Sequence, residues 1–131
     1  MLSICVMREE KAKVPLLTQP LEKVIPFFDR NMVPHRTYLA ALLRRQVVGL
    51  VALVESSSRV PGALGVGFIS THVEFLNQGI SSQLARALFD FALDQKKAIS
   101  MTAYEPDGEI WLRHVLQRIA AATPSVQLIE Q

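Results

Sequence analysis

GFISTHVEFLNQGISSQLARALF, residues 67–89, changes character twice within 23 residues. It opens as a strand ending in Phe68-Ile69-Ser70-Thr71, with Gly62, Gly65 and Gly67 permitting a bulge or a close backbone approach. A polar loop follows. From Gly79 the pattern changes: Ile80, Leu84, Ala87, Leu88, Phe91 and Ala92 recur at i, i+4, i+7 and i+8, and Ala85, Phe89 and Leu93 widen that face. This spacing predicts a helix over 79–95 with one buried side.

A helix that begins in such a loop has chemistry of its own. Its first backbone N–H groups lack intrahelical acceptors, and its dipole places partial positive charge there. An anionic pyrophosphate satisfies both. Gly79 would let the backbone come close to the phosphates, while Ser81 and Ser82 can donate hydroxyls or cap the first turn.

Upstream, residues 2–7 form a short apolar run followed by charges, which predicts a first strand. Leu16 to Met32 mixes helical spacing with Pro15, Pro20 and Pro26 in or beside it, so short, broken helices are expected. From Tyr38 to Val54, two apolar runs flank Arg44-Arg45-Gln46, an antiparallel hairpin about those three polar residues. Ser56-Ser57-Ser58 and Pro61-Gly62 mark a loop before the strand that leads into the polar loop.

Downstream, Ile99 to Tyr104 reads as a strand, and Pro106-Asp107-Gly108 opens a second helix carrying Leu112, Val115, Leu116, Ile119 and Ala120 on one side. Pro124 closes that helix, and Val126 to Ile129 is a last strand. The order of elements describes one mixed α/β domain over residues 1–131, with no internal repeat.

Composition narrows the functional classes. Half the residues are hydrophobic and 20% are charged, as in a packed globule. A net charge of +2, from 14 basic and 12 acidic side chains, does not supply the cationic stripe on which non-specific nucleic-acid binding depends. The single cysteine, Cys5, excludes an internal disulfide and points to a reducing, cytoplasmic setting. No run approaches the roughly 18 apolar residues of a membrane span, and the amino terminus does not read as a signal peptide. His35, His72 and His114 lack any paired ligand spacing, so no metal site is expected.

The passage from Gly67 to Phe89 resembles the central motif of the GNAT acetyltransferase superfamily, in which a strand, a turn and the pattern Arg/Gln-x-x-Gly-x-Gly/Ala lead into a long amphipathic helix. The order of elements agrees over most of the chain. The resemblance implies a mixed, mostly antiparallel central sheet flanked by helices. It also implies direct transfer of an acyl group from acetyl-coenzyme A to an amine of a small molecule, peptide or protein. The implied donor-binding residues are Thr71, His72, Val73, Asn77, Gln78, Gly79, Ile80, Ser81 and Ser82. In the family, the backbone amide just past a bulge in the central strand binds the thioester carbonyl, and carried across it lies at or near Thr71. The motif departs from the pattern at Leu76, where Arg or Gln is usual, at Asn77, which replaces a common glycine, and at Ser81, where a second Gly or Ala is expected.

Acyl transfer to an amine needs a base to remove a proton and an acid for the departing thiolate. Tyr104, at the end of the predicted strand, is the candidate acid. Glu105 can serve as base or bind a cationic acceptor, although Glu-Pro-Asp-Gly is also an ordinary helix-opening sequence. His72, whose kind titrates near neutrality, is a candidate proton carrier. Trp111 and His114, on the last helix, read as packing or surface residues. A second functional class is also open: a domain that binds acyl-coenzyme A as a sensor, or an interaction module. The last strand, if at a sheet edge, would pair across a homodimer.

Overall fold

Arg44 and Arg45 make a two-residue reversal, and the sheet grows outward from it. The structure, a computed structural model, describes residues 1–101 and 109–130. Both arginines have positive φ, 51° and 71°, as a two-residue hairpin turn requires for its twist to match the strands it joins. Gln46, expected in the turn, already pairs with Leu43. The turn joins β2 (Thr37–Leu43) to β3 (Gln46–Val54). β1 (Leu2–Met7) lies antiparallel on the outer side of β2, and β4 (Leu64–Thr71) antiparallel on the outer side of β3. β5 (Ile99–Met101) and β6 (Leu128–Glu130) then add in parallel, giving the order β1-β2-β3-β4-β5-β6. This is the mixed, mostly antiparallel sheet flanked by helices that the sequence implies.

One face of the sheet is covered by α2 (Ile80–Gln95) and α3 (Glu109–Ala122). Leu84, Leu88 and Phe89 of α2 and Leu116 of α3 pack on Leu39, Val51, Leu53, Leu64 and Ile99. Gly49 sets the depth of this contact: a Cβ there would lie 2.8 Å from Leu84 Cδ1 and 2.9 Å from Ile80 Cγ2. Its missing side chain lets the first turns of α2 rest on the sheet. The helix ends where Lys96 takes φ 56° and the Lys97 N–H donates back to the Ala92 carbonyl, satisfying a last-turn acceptor.

The opposite face is covered without a long helix. α1 (Val14–Thr18) has Pro15 in its first turn and is only five residues long. Beyond it the chain passes through turns, with Ile25 N–H donating to Leu21 O, and a 3-10 segment at Arg30–His35. Leu16, Leu21, Ile25, Phe28 and Val33 nonetheless form a second buried cluster with Tyr38, Ala40, Leu50, Ala52 and Phe68. The prolines break the helical spacing without removing its buried side.

Two details differ from the sequence reading, and one part of it is not described. The last strand begins at Leu128, because Val126 closes a turn by donating to Thr123 O and is buried in the core. Leu93 is 46% exposed, since that side of α2 faces away from the sheet. The end of the predicted fifth strand, with Tyr104 and Glu105, and the helix opening at Pro106-Asp107-Gly108 lie outside the described residues.

Candidate functional site

β4 carries an extra residue. Leu53 pairs with Val66 and Ala52 with Phe68, so Gly67 bulges out of the β3 ladder. The bulge therefore lies four residues before Thr71, not directly before it, because the glycine there accommodates the extra residue. Pairing with β5 covers Leu64 to Val66 only. From Gly67 to Thr71 the described partner of β4 is β3 alone. The His72 N–H donates to Val48 O on β3 at 2.9 Å. By the alternation of an antiparallel ladder, the N–H groups of Ile69 and Thr71 then point away from β3, toward an edge of β4 that is free among the described residues.

The loop after β4 is held by its own residues. His72 is 4% exposed, and its Nδ1 accepts from the Glu74 N–H at 3.1 Å. The ring packs edge-on against Phe75, with centroids 5.1 Å apart. With Nδ1 accepting, the remaining ring nitrogen, Nε2, carries the proton in the neutral form. The Val73 N–H donates to Val24 O at 2.9 Å, tying the loop to the irregular face. Both main-chain amides here are thus committed to the fold.

The helix start is different. Asn77 and Gly79 both have positive φ, 63° and 77°. No side chain caps α2, and a Cβ at Gly79 would meet nothing within 4 Å. Ile80 buries its side chain and offers only its backbone, while Gln78 lies exposed and Ser82 half-buried. Ser81 Oγ lies 2.6 Å from Thr71 Oγ1, a hydroxyl pair that joins the end of β4 to the first turn of α2. An open bowl with uncapped N–H groups at one wall results.

That bowl is a cavity of about 480 Å³ bounded by Thr71, Leu76, Asn77, Gly79, Ser81 and Trp111. Trp111 reaches it from α3 and is 52% exposed. No pattern along the chain marks this: a lone tryptophan near a helix start reads as packing until α3 is laid beside α2. None of the lining residues is Lys or Arg, so an anion here would be held by backbone N–H groups and the helix dipole. A larger hollow of about 620 Å³ lies between β1 and α2 and shares no lining residue with this one.

Among the described residues, no three His, Cys, Asp or Glu side chains come close enough to hold a metal ion. Nor is any described helix long and apolar enough to cross a membrane.

No family model and no curated protein matches the sequence. Solved structures do match in three dimensions. The ribosomal-protein-S18-alanine N-acetyltransferase of Escherichia coli superimposes with a TM-score of 0.67 at 13% identity, over 88% of this chain and 76% of its own. An aminoglycoside acetyltransferase from an uncultured soil metagenomic sample gives 0.64 at 17%, over 88% and 87%. The ribosomal-protein-alanine N-acetyltransferase of Brucella melitensis biovar Abortus 2308 gives 0.60 at 18%, over 91% and 90%. The chain has the fold of the GNAT N-acetyltransferases. At these identities the likeness establishes the fold, and the activity has to be argued from the site.

Proposed function

We propose that the chain transfers an acetyl group from acetyl-coenzyme A directly to an amine. The observation that carries this is the uncapped start of α2 at Gly79, opening on a cavity beside the free edge of β4. In this reading the N–H groups from Gly79 to Ser82 hold the pyrophosphate, and Trp111 and Leu76 flank it. The N–H groups of Ile69 and Thr71 hold the acyl arm along the open edge and stabilise the oxyanion as it forms. The amine nitrogen attacks the thioester carbon, a C–N bond forms, the C–S bond breaks, and the amine proton leaves to a base while the thiolate takes a proton. Tyr104 is the proposed acid and Glu105 the proposed base. His72, with Nδ1 engaged, could move a proton only through Nε2.

Trp111 is the chain's single tryptophan, so its fluorescence reports on this cavity. Titration with coenzyme A is expected to change the emission saturably. Gly79→Glu adds bulk and negative charge where the pyrophosphate must approach, and should weaken binding at least about a hundredfold. The side chain enters open space, so the stability cost is that of a positive φ alone, about 1 kcal/mol. A folded Gly79→Glu variant that keeps its affinity would refute the placement.

A second reading, a domain that binds acyl-coenzyme A without turnover, is favoured by one observation. At Ser81 the hydroxyl sits against Thr71 where the family pattern has Gly or Ala, narrowing the site at the end of β4. Thiol release measured across a panel of amines separates the two: saturable binding with no release for any amine supports the sensor.

A further inference from the structure

On the side of the sheet away from α2, a cation lies across the bulge. Arg36 stands just before β2, on the same face as Tyr38 and Ala40, and its side chain crosses β3 toward β4. A Cβ at Gly67 would lie 3.5 Å from Arg36 Cζ and 3.6 Å from Nη1, ordinary contact distances, so the guanidinium lies against the bulge. Ala52, the small residue paired with Phe68 on β3, flanks the same trough, its carbonyl 3.5 Å from that Cβ position. Arg36 is half-buried and Gly67 exposed, so the guanidinium is reachable from solvent.

This charge has no carboxylate of the fold to neutralise it among the described residues. The neighbouring acid, Asp29, instead accepts from the Asn31 N–H. Beneath the guanidinium, Tyr38 is fully buried, and its hydroxyl has no hydrogen-bond partner among the described residues. Burial pushes the Tyr38 phenol above its ordinary range, and Arg36 draws it part of the way back. The buried hydroxyl thus interacts with the guanidinium itself, which has no carboxylate partner among the described residues.

We infer that Arg36, with Tyr38 beneath it, is an anion-binding subsite for the acceptor, which is therefore an amine carrying a carboxylate. The inference rests on the acyl-transfer reading above. The proposed donor site lies on the α2 face and Arg36 on the other, so an amine held by Arg36 would approach β4 from the face opposite the donor. Gly67 is two strand residues from Ile69, about 7 Å at ordinary strand rise. An amine and a carboxylate separated by a short methylene chain span that distance. The planar guanidinium can take the carboxylate in two parallel hydrogen bonds. Amines whose far end is cationic should be rejected by the same charge.

The test compares 5-aminovalerate with pentylamine as acceptors, using wild type, Arg36→Gln and Arg36→Lys, by thiol release. Wild type should prefer 5-aminovalerate by about tenfold or more in kcat/KM. Arg36→Gln should remove that preference through KM, leaving the pentylamine rate and the acetyl-coenzyme A KM within about twofold, and Arg36→Lys should restore part of it. No preference in wild type, or a preference kept by a folded Arg36→Gln, overturns the inference. Titration of 5-aminovalerate into isotope-labelled protein, followed at the arginine Nε–H resonances, decides the matter independently of turnover. Binding weakened about tenfold by Arg36→Gln supports the subsite, and absence of binding to wild type overturns it. A protein that binds 5-aminovalerate at Arg36 but not acetyl-coenzyme A would sink the transferase reading alone.

Discussion

The two faces of the sheet bury comparable cores by opposite means. On one, α2 and α3 present regular stripes of Leu, Ile and Phe. On the other, residues 10–35 cross the sheet in turns and one five-residue helix, yet Leu16, Leu21 and Ile25 are as completely buried as Leu84 and Leu88. Regularity is not what burial requires. The irregular face spends side-chain hydrogen bonds where the helical face uses its own backbone. Arg30 donates to the carbonyls of Leu16, Leu17 and Gln19, and Lys13 donates to Val33 O.

Truncation of one core residue on each face tests this equivalence most severely. Leu84→Ala and Leu16→Ala should each cost about 2 to 5 kcal/mol in urea unfolding, because both side chains are fully buried. A cost below about 1 kcal/mol for Leu16→Ala alone would show that the irregular layer is loosely held.

A smaller effect is expected from the side chain that fastens that layer to the hairpin. Gln19 accepts from the Val47 N–H at 2.9 Å and donates to Arg45 O at 2.8 Å. Gln19→Ala leaves both backbone groups unpaired and should cost about 1 to 2 kcal/mol. Amide exchange should quicken at Val47 more than at Val51, which lies deeper in the same strand.

The smallest effect belongs to the polar rim of the helical face. Glu55 accepts two hydrogen bonds from Arg8 and one from Thr37. The Arg8 hydrogen bond, ahead of burial, lowers the Glu55 carboxyl below its ordinary 4.5. The stabilisation is therefore complete above that unfolded value and is lost as pH falls through the lower folded one. Glu55→Gln should cost about 1 kcal/mol or less at neutral pH, and the gap between the variants should close on acidification. A gap that widens in acid would contradict the pairing.

How legible each face was follows from the same contrast. The period of α2 was readable because each turn repeats the same demand on one side, and the hairpin because polar residues interrupt two apolar runs. The layer at 10–35 was readable only as broken, since turns leave no period. At the site, Gly79 and the serines were visible in the sequence because a helix start has local requirements. Trp111, Arg36 and the committed amides of His72 and Val73 were not, because each acquires its place from a distant element.

The order of elements, the amphipathic face of α2 and its start at Gly79 were legible from the chain alone, all consequences of interactions within a few residues. The tertiary structure was needed to show that Gly67 is the bulge, that Leu64 to Val66 pair with the described β5, and that Trp111 and Arg36 lie on opposite faces of the sheet. Those facts depend on register between strands and on the docking of α3, and contacts between residues far apart in the chain are what fix both.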